Sequence, residues 1–337
     1  MKKIIIMLGA LGLTVALAAC SQNNTDKMPE QNNQQEKAEP MPKSNQEEDV
    51  SDTEKGGIAS DSFYEPFAGK IDHVHGLGYV GNQNAVFLAT HDGLKAYENG
   101  KWYKTIEENH DYMGFNAINE GFYASGHPEP GSNLINPFGI KKSLDNGRSL
   151  EALALEGETD FHAMGVGYDS KVIYVMNPEK NSLMSGGQFY MSEDDAKTWK
   201  KTAAKGLGKD IFSIAVHPKN SDILAVAGKE GIYLSKDKGE TFHLMTKGLQ
   251  GTSVFMTEDT LWYGGYNGQA VLVKRSLEND AEENVALPEM EQDAVMYLAQ
   301  NPKNHNEVTF VTFNGDVFMS KDGTQTWNIL IEKGEMK

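Results

Sequence analysis

Short apolar runs separated by glycine and polar turn residues recur along residues 63–337 of this chain. Residues 211–216, 223–227 and 231–234 are three such runs, rich in β-branched and aromatic side chains. Runs of four to eight residues of this kind, bounded by turn residues, predict antiparallel strands. The pattern therefore predicts an all-β domain.

The runs belong to a unit that repeats along the chain. A glycine opens the third strand of each unit, and the intervals between these glycines are 37 to 48 residues: Gly93, Gly139, Gly187, Gly231, Gly268 and Gly315. A period near 40–50 residues with several short strands per unit is typical of a β-propeller. The spacing predicts six blades of roughly 45 residues each, with a seven-bladed closure as the alternative.

Four units contain a turn of the form Ser-x-Asp-x-Gly-x-Thr-Trp after the third strand. The positions that match it are Ser143, Asp145, Gly147, Ser192, Asp194, Trp199, Ser235, Asp237, Gly239, Ser320, Asp322 and Trp327. Side-chain oxygens in such turns satisfy backbone N–H groups, and glycine tolerates positive φ. The turn resembles the Asp box, or bacterial neuraminidase repeat, of sialidases, sortilin-type receptors and photosystem II assembly factors. We expect these residues to be structural.

The N-terminal sequence is typical of a signal for export. Three residues, Met1-Lys2-Lys3, precede an apolar run over 4–17, and small residues lead to Cys20, the single cysteine. Residues 1–19 predict a signal peptide. The stretch 17–20 resembles the lipobox of bacterial lipoproteins, which implies cleavage before Cys20, its lipidation (diacylglycerol and palmitate), and attachment to the outer face of the cytoplasmic membrane.

Residues 20–61 contain almost nothing apolar, and positions 21–61 carry ten acidic residues against four lysines. Such a segment cannot bury enough surface to fold. We expect a disordered tether that spans roughly 35 Å, followed by the propeller over 62–337. The formal net charge of −17 argues against nucleic acid as a partner.

Polar residues recur at the start of the predicted innermost strands: His73, Asp111, Asp160, Asp210 and Asp293. The positions two residues later are His75, Met113, His162, Phe212 and Val295 in blades one, two, three, four and six. Side chains alternate along a strand, so both sets face the same side. Blades one to three are therefore predicted to present His, Met and His next to one another in the central channel.

Two further histidines, His91 and His127, follow the second strands of blades one and two. These connections emerge at the end of the channel where the innermost strands begin. The ligand candidates expected there are His73, His75, His91, Met113, His127 and His162. Imidazole with thioether suits copper, and imidazole with carboxylate suits zinc. Asp111 and Asp160 are expected to orient the imidazoles. A polar channel filled with ordered water is the alternative.

Segments 73–77, 90–94, 111–115, 125–128 and 160–164 also resemble a group of exported bacterial Asp-box propellers known loosely as glycosyl hydrolases. The resemblance covers about residues 68–337 and implies sugar hydrolysis, although a fold does not determine function. Sialidases hold their carboxylated sugar with three arginines, and this chain has only Arg148 and Arg275. Sialidase chemistry is therefore excluded.

Three functions follow from these patterns. The first is a binding or assembly module, with a metal or a small ligand at the channel mouth and an unidentified protein, glycan or small molecule as partner. The second is a glycosidase that uses paired carboxylates, for which the channel candidates are Asp111, Asp160, Asp210 and Asp293. The third is a protein-assembly scaffold that uses a broad face.

Overall fold

The computed structural model describes residues 57–337, which form a six-bladed β-propeller. Each blade is an antiparallel sheet of four or five strands, contiguous in sequence, with the strands in chain order from the channel outward. One fifth strand departs from this order, because the first strand of the domain lies at the outer edge of blade one. The six sheets confirm the predicted all-β class and the blade number.

The strands of the first three blades are β1 (Tyr64–Pro66), β2 (Val74–Gly78), β3 (Val86–Thr90), β4 (Gly93–Glu98), β5 (Lys101–Thr105), β6 (Asp111–Ala117), β7 (Phe122–His127), β8 (Ile140–Ser143), β9 (Glu151–Ala154), β10 (Met164–Val166), β11 (Ile173–Asn177), β12 (Gln188–Ser192) and β13 (Lys200–Lys201). Blade one comprises β1–β5, blade two β6–β9 and blade three β10–β13. Two short 3-10 helices, Ile58–Ser60 and Val80–Asn82, accompany blade one.

The strands of the other three blades are β14 (Ile211–Val216), β15 (Leu224–Gly228), β16 (Gly231–Ser235), β17 (His243–Leu244), β18 (Gln250–Met256), β19 (Thr260–Tyr266), β20 (Ala270–Ser276), β21 (Glu282–Asn284), β22 (Val295–Gln300), β23 (Val308–Thr312), β24 (Val317–Ser320), β25 (Asn328–Glu332) and β26 (Glu335–Met336). Blade four comprises β14–β17, blade five β18–β21 and blade six β22–β26. No helix within residues 57–337 has the length and apolar character needed to cross a membrane.

The apolar core is divided among the blade interfaces. Six clusters of buried side chains are present, one between each pair of adjacent blades around the ring. Burial of apolar surface is the main favourable contribution to folding, so the blades stabilise one another mainly through these interfaces. The cluster between blades six and one packs Val74 and Leu77 against Val311 and Val317, and this contact closes the ring.

Closure of the ring involves no exchange of strands between the two ends of the described chain. All strands of blade six come from residues 295–336, and β1 pairs with β5 within blade one. A buried polar contact joins the first and last blades, since the Tyr79 hydroxyl lies 3.0 Å from Glu307 Oε1 and 3.1 Å from Thr309 Oγ1. Strand β1 (Tyr64–Pro66) thus extends the outer edge of blade one and takes no part in closing the ring.

The four Ser-x-Asp turns share one hydrogen-bonding pattern. The serine Oγ accepts from the backbone N–H four residues later at 2.9–3.0 Å and donates to the aspartate Oδ1 at 2.8–2.9 Å. That aspartate accepts from the backbone N–H and the hydroxyl of a serine or threonine four residues further on. The side-chain oxygens of the serine, the aspartate and the following serine or threonine are thereby all used in the turn between the third and fourth strands.

The folded domain begins earlier than its composition indicates. Ile58 is fully buried in the cluster between blades one and two. Ala59 donates its backbone N–H to Glu98 Oε2 at 3.1 Å, and the Asp61 carboxylate pairs with Arg148. Residues 58–61, which we expected to belong to the tether, therefore contact the propeller. One isoleucine among polar neighbours carries little weight in an average over the segment. The predicted signal peptide, Cys20 and the rest of the tether lie outside the described residues.

Candidate metal centre at the channel mouth

Four residues of the candidate site lie at or next to the ends of adjacent strands. Innermost strands begin, and second strands end, at the same end of the propeller, which we call the channel mouth. Blade two shows this arrangement directly, because Asp111 at the start of β6 pairs with His127 at the end of β7. In blade one, His91 immediately follows β3, and His75 lies next to the start of β2. Residues distant in sequence therefore meet here.

A β-bulge places His75. Val74 pairs with Thr90 and Gly76 pairs with Ala89, so His75 is the extra residue that has no partner on β3. A bulge bends the strand and redirects a side chain, and His75 lines the central channel. Register shifts occur at the corresponding point of the innermost strand in blades two, four, five and six as well.

His91 lies in a turn that hydrogen bonds from Thr90 and Lys95 hold in place. Thr90 Oγ1 donates to the Gly93 carbonyl at 2.7 Å. The fully buried Lys95 donates to the Asp92 carbonyl at 2.7 Å and to its carboxylate at 2.9 Å. A buried ammonium needs such partners, so the four residues of the turn are fixed and present the His91 ring at the mouth.

His75, His91 and Asp111 form a compact group, the first triad. One ligand atom from each lies within 4.8 Å of the others. His75 Nε2 is 3.2 Å from His91 Nδ1, His91 Nδ1 is 2.9 Å from Asp111 Oδ1, and His75 Nε2 is 3.8 Å from the same oxygen. Ligand atoms bound tetrahedrally at zinc distances lie about 3.3 Å apart. The observed separations bracket that value.

The protonation state of His75 favours the binding of a cation by the triad. Burial lowers the pKa of His75 below its ordinary value, and the nearby His91 lowers it further, whereas Asp111 opposes the shift. Neutral imidazole is the form that binds metals. Asp111 Oδ1 is buried and, among the described residues, has no well-aligned hydrogen-bond donor. A buried carboxylate oxygen without a donor is costly, and a bound cation would remove that cost.

A second group, the second triad, lies between blades two and three. Asp160 Oδ2 is 2.6 Å from His162 Nε2 and 3.3 Å from His127 Nε2. The hydrogen bond with Asp160 raises the pKa of His162, against an opposing effect of burial. Asn136, which nothing in the sequence pattern singled out, contacts His127 Nδ1 through its Oδ1 at 2.7 Å. Both triads therefore contain one carboxylate and two imidazoles.

The two triads open onto one cavity. It has a volume of about 830 Å³ and occupies the central channel, with His75 and His162 at the mouth. Its wall is mostly apolar and aromatic, and includes Phe115, Phe212, Val254 and Tyr297. Cavities of roughly 300–1,000 Å³ with a few convergent polar groups are the usual form of small-molecule sites.

Three of the expected alignments need correction. Met113 pairs with Ser125 as Val74 pairs with Thr90, so it precedes the bulge and does not line the cavity. Val295 likewise precedes the bulge residue of its strand. His162 lies two residues before β10 and not within it. A bulge inserts one residue and shifts the alternation of side chains, which alignment by spacing alone does not detect.

The remaining candidates lie outside both triads. The His73 ring is close by, with its centroid 5.0 Å from that of His91. Asp293 is buried, and its Oδ1 accepts from the backbone N–H groups of Ala294 and Asn314. Asp210 is 60% exposed and lies 3.8 Å from Lys229 Nζ. Asp293 thus supports the backbone, and Asp210 forms an exposed ion pair.

No protein-family model and no curated protein matches the chain. Solved structures similar to it include an ancestral GH74 enzyme (11% identity, TM-score 0.49, 81% of this chain and 40% of the enzyme). The extracellular domain of BT4673 from B. thetaiotaomicron (16%, 0.48, 81% and 35%) and YCF48 bound to D1 peptide (14%, 0.45, 80% and 85%) are also similar. The chain thus spans less than half of the first two proteins. Structural similarity at this level gives no information about the ligand or the activity of this protein.

Proposed function

We propose that this propeller is a binding module that holds a divalent transition-metal ion at its channel mouth through His75, His91 and Asp111. The observation that carries the proposal is the convergence of two imidazoles and one carboxylate with all ligand atoms within 4.8 Å. The lowered pKa of His75 and the burial of Asp111 Oδ1 beside the two imidazoles support it. The net charge of −17 favours the approach of cations.

The donor set favours zinc over copper. Two imidazoles and a carboxylate with a fourth position open to solvent are a common zinc arrangement, whereas a thioether ligand would favour copper. Met113 was the expected thioether ligand, but it does not line the cavity. The main argument for copper therefore no longer applies. His75 borders the channel cavity, so a small ligand with a donor atom could reach an ion bound there.

Calorimetric titration tests the proposal. The protein is purified without a histidine tag, stripped with chelator, and titrated with Zn²⁺ and with Cu²⁺. A His75→Ala/His91→Ala variant should lose one equivalent of tight uptake, because the affinity of that site falls by at least about 10–100-fold. His243→Ala changes an exposed histidine of β17 and should bind as the unaltered protein does. Equal uptake by the double variant and the unaltered protein would contradict the assignment.

We also propose that the module is attached to the outer face of the cytoplasmic membrane through a lipid on Cys20. The support is the sequence of residues 1–20, with its basic start, apolar run and small residues before the cysteine. A Cys20→Ala variant should move from the membrane fraction to the soluble fraction. Unchanged fractionation of that variant would refute lipid anchoring.

Glycoside hydrolysis is the second candidate function. It is favoured by the position of Asp111 and Asp160 beside His75 and His162, which border one cavity. Paired carboxylates are the usual groups of such enzymes. If this function holds, Asp111→Asn and Asp160→Asn should each abolish release of a chromogenic aglycone, and chelator should leave the activity intact. Arg148 and Arg275 bind Asp61 and Glu282, so no sialic acid release is expected.

A further inference from the structure

The central cavity extends away from the channel at one place, in blade five. Of the strand residues that line it, only Thr260, Trp262 and Lys274 belong to strands other than the innermost ones, and they lie on β19 and β20. We call the space beside these three residues the side pocket. Pro302 and His305, in the loop between β22 and β23 of blade six, line the same cavity. Second strands end at the mouth, and Thr260 is the first residue of β19, so the side pocket lies at the opposite end of the channel.

Trp262 brings a buried donor without an acceptor into the side pocket. The residue is only 3% exposed, and its indole Nε1 is buried and has no hydrogen-bond partner within residues 57–337. The indole N–H can donate but cannot accept. A buried donor that lacks an acceptor is costly, and a ligand with an oxygen acceptor would remove that cost.

Lys274 adds a positive charge beside this indole. Its Nζ lies 4.9 Å from the centroid of the Trp262 ring and donates to Thr324 Oγ1 at 3.1 Å. The cross-strand neighbour Glu283 is exposed and forms no ion pair with Lys274. An ammonium group has three donors and no acceptor, so Lys274 retains donors for a ligand. The side pocket therefore presents two donors, one of them charged, to the cavity.

The two carboxylates of blade five that line the cavity have partners of their own. Glu258 Oε1 lies 2.6 Å from Lys219 Nζ. Asp259 Oδ1 accepts from the hydroxyls of Thr257 and Thr260 at 2.9 and 3.0 Å, and the hydrogen bond from Thr257 is the main cause of the lowered pKa of Asp259. Exposed charges are largely screened beyond about 10 Å at 0.1 M salt. Local donors, more than the net charge of the chain, therefore determine which group binds here.

We propose that the side pocket binds the acid group of a small organic anion through Lys274 and the indole N–H of Trp262, while the apolar part of that molecule lies in the channel. Hydrogen bonds between a charged donor and an anionic acceptor are stronger than those between neutral groups. The channel wall includes Val254, Phe255 and Tyr297, and burial of an apolar body against such a wall is favourable. The inference is independent of the metal ion proposed at the mouth.

Two fluorescent probes that differ by one acid group test this inference. Anilinonaphthalene sulfonate carries the acid group, and phenylnaphthylamine is the same aromatic body without it. Full-length protein is titrated with each probe in the presence of chelator. Lys274→Met keeps the apolar stem over the ring, and Trp262→Phe keeps an aromatic ring but loses the N–H. Each variant should bind the sulfonate about 10-fold more weakly and phenylnaphthylamine with unchanged affinity.

Lys303→Met is the matched control, because Lys303 is an exposed lysine of blade six that does not line the cavity. It should bind both probes as the unaltered protein does, and circular dichroism checks the fold of all variants. Unchanged affinity for the sulfonate in Lys274→Met or in Trp262→Phe would overturn the proposal. Equal losses for both probes would also overturn it, since altered packing would then be the cause. So would a failure of the unaltered protein to bind the sulfonate. Zinc uptake is measured separately, so this inference and the metal site stand or fall independently.

Discussion

Replacement of Ile58 by alanine measures how strongly the N-terminal segment is built into the domain. The side chain is fully buried in the cluster between blades one and two, in company with Phe63 and Phe87. Truncation of a buried isoleucine removes apolar contacts and leaves a cavity, at a cost of about 2–5 kcal/mol. We expect Ile58→Ala to lower the free energy of unfolding by about 3 kcal/mol.

The effect is large enough for a routine assay. For a domain of this size, 1 kcal/mol corresponds to about 2–4 °C in Tm, so the variant should melt about 6–12 °C below the unaltered protein. Equilibrium unfolding in urea gives an independent value, because a change in midpoint at constant slope reports the change in stability. Ile135→Ala is the matched control, since Ile135 is 57% exposed and its truncation should cost under about 0.5 kcal/mol.

A loss below about 0.5 kcal/mol for Ile58→Ala would refute the reasoning. It would mean that residues 57–61 belong to the tether, as their composition indicates, and that the domain starts at residue 62. Equal losses in the two isoleucine variants would also refute it, because burial would then not be the cause. The measurement therefore decides where the folded domain begins.

Three further predictions concern closure, the site and the turns. Tyr79→Phe removes the buried hydroxyl that contacts Glu307, and urea unfolding should show a loss of about 1.5–3 kcal/mol. Gly126→Ala would place a Cβ 2.0 Å from the Asp111 carbonyl at a φ of 127°, so zinc titration should show weakened binding at the first triad. Hydrogen bonds within its turn lower the pKa of Asp322 to about 2. Its stabilising contribution is therefore complete above pH 4 and lost as the pH falls toward 2, and thermal melts of Asp322→Asn should show a shallower decline over that window.

Much of the fold could be read from the sequence because its information is local. The apolar runs, the turn residues and the near-regular spacing of six opening glycines recur within each blade. Four-stranded blades pack only against their neighbours, so a repeat in sequence becomes a repeat in space. Closure of the ring could not be predicted from local sequence, because the contact of Tyr79 with Glu307 joins residues 228 positions apart.

The site was readable only in part. Its histidines could be assigned to one end of the channel, because antiparallel strands bring the start of one strand to the end of the next. The sequence could not show that Asp111 lies within ligand range of His75 and His91, or that Asn136 contacts His127. Those relations depend on the turn and loop conformations that follow β3 and β7.

The sequence by itself determined the all-β class, the six-fold repeat, the hydrogen-bonded turns and the collection of histidines in the first half of the ring. Only the tertiary structure decided which ligands meet. The physical reason is the β-bulge: His75 is the extra residue of β2 and lines the channel, whereas Met113 precedes the bulge of β6 and does not line the cavity. A shift of one residue reverses the side a strand side chain faces, and no spacing rule reveals where that shift occurs.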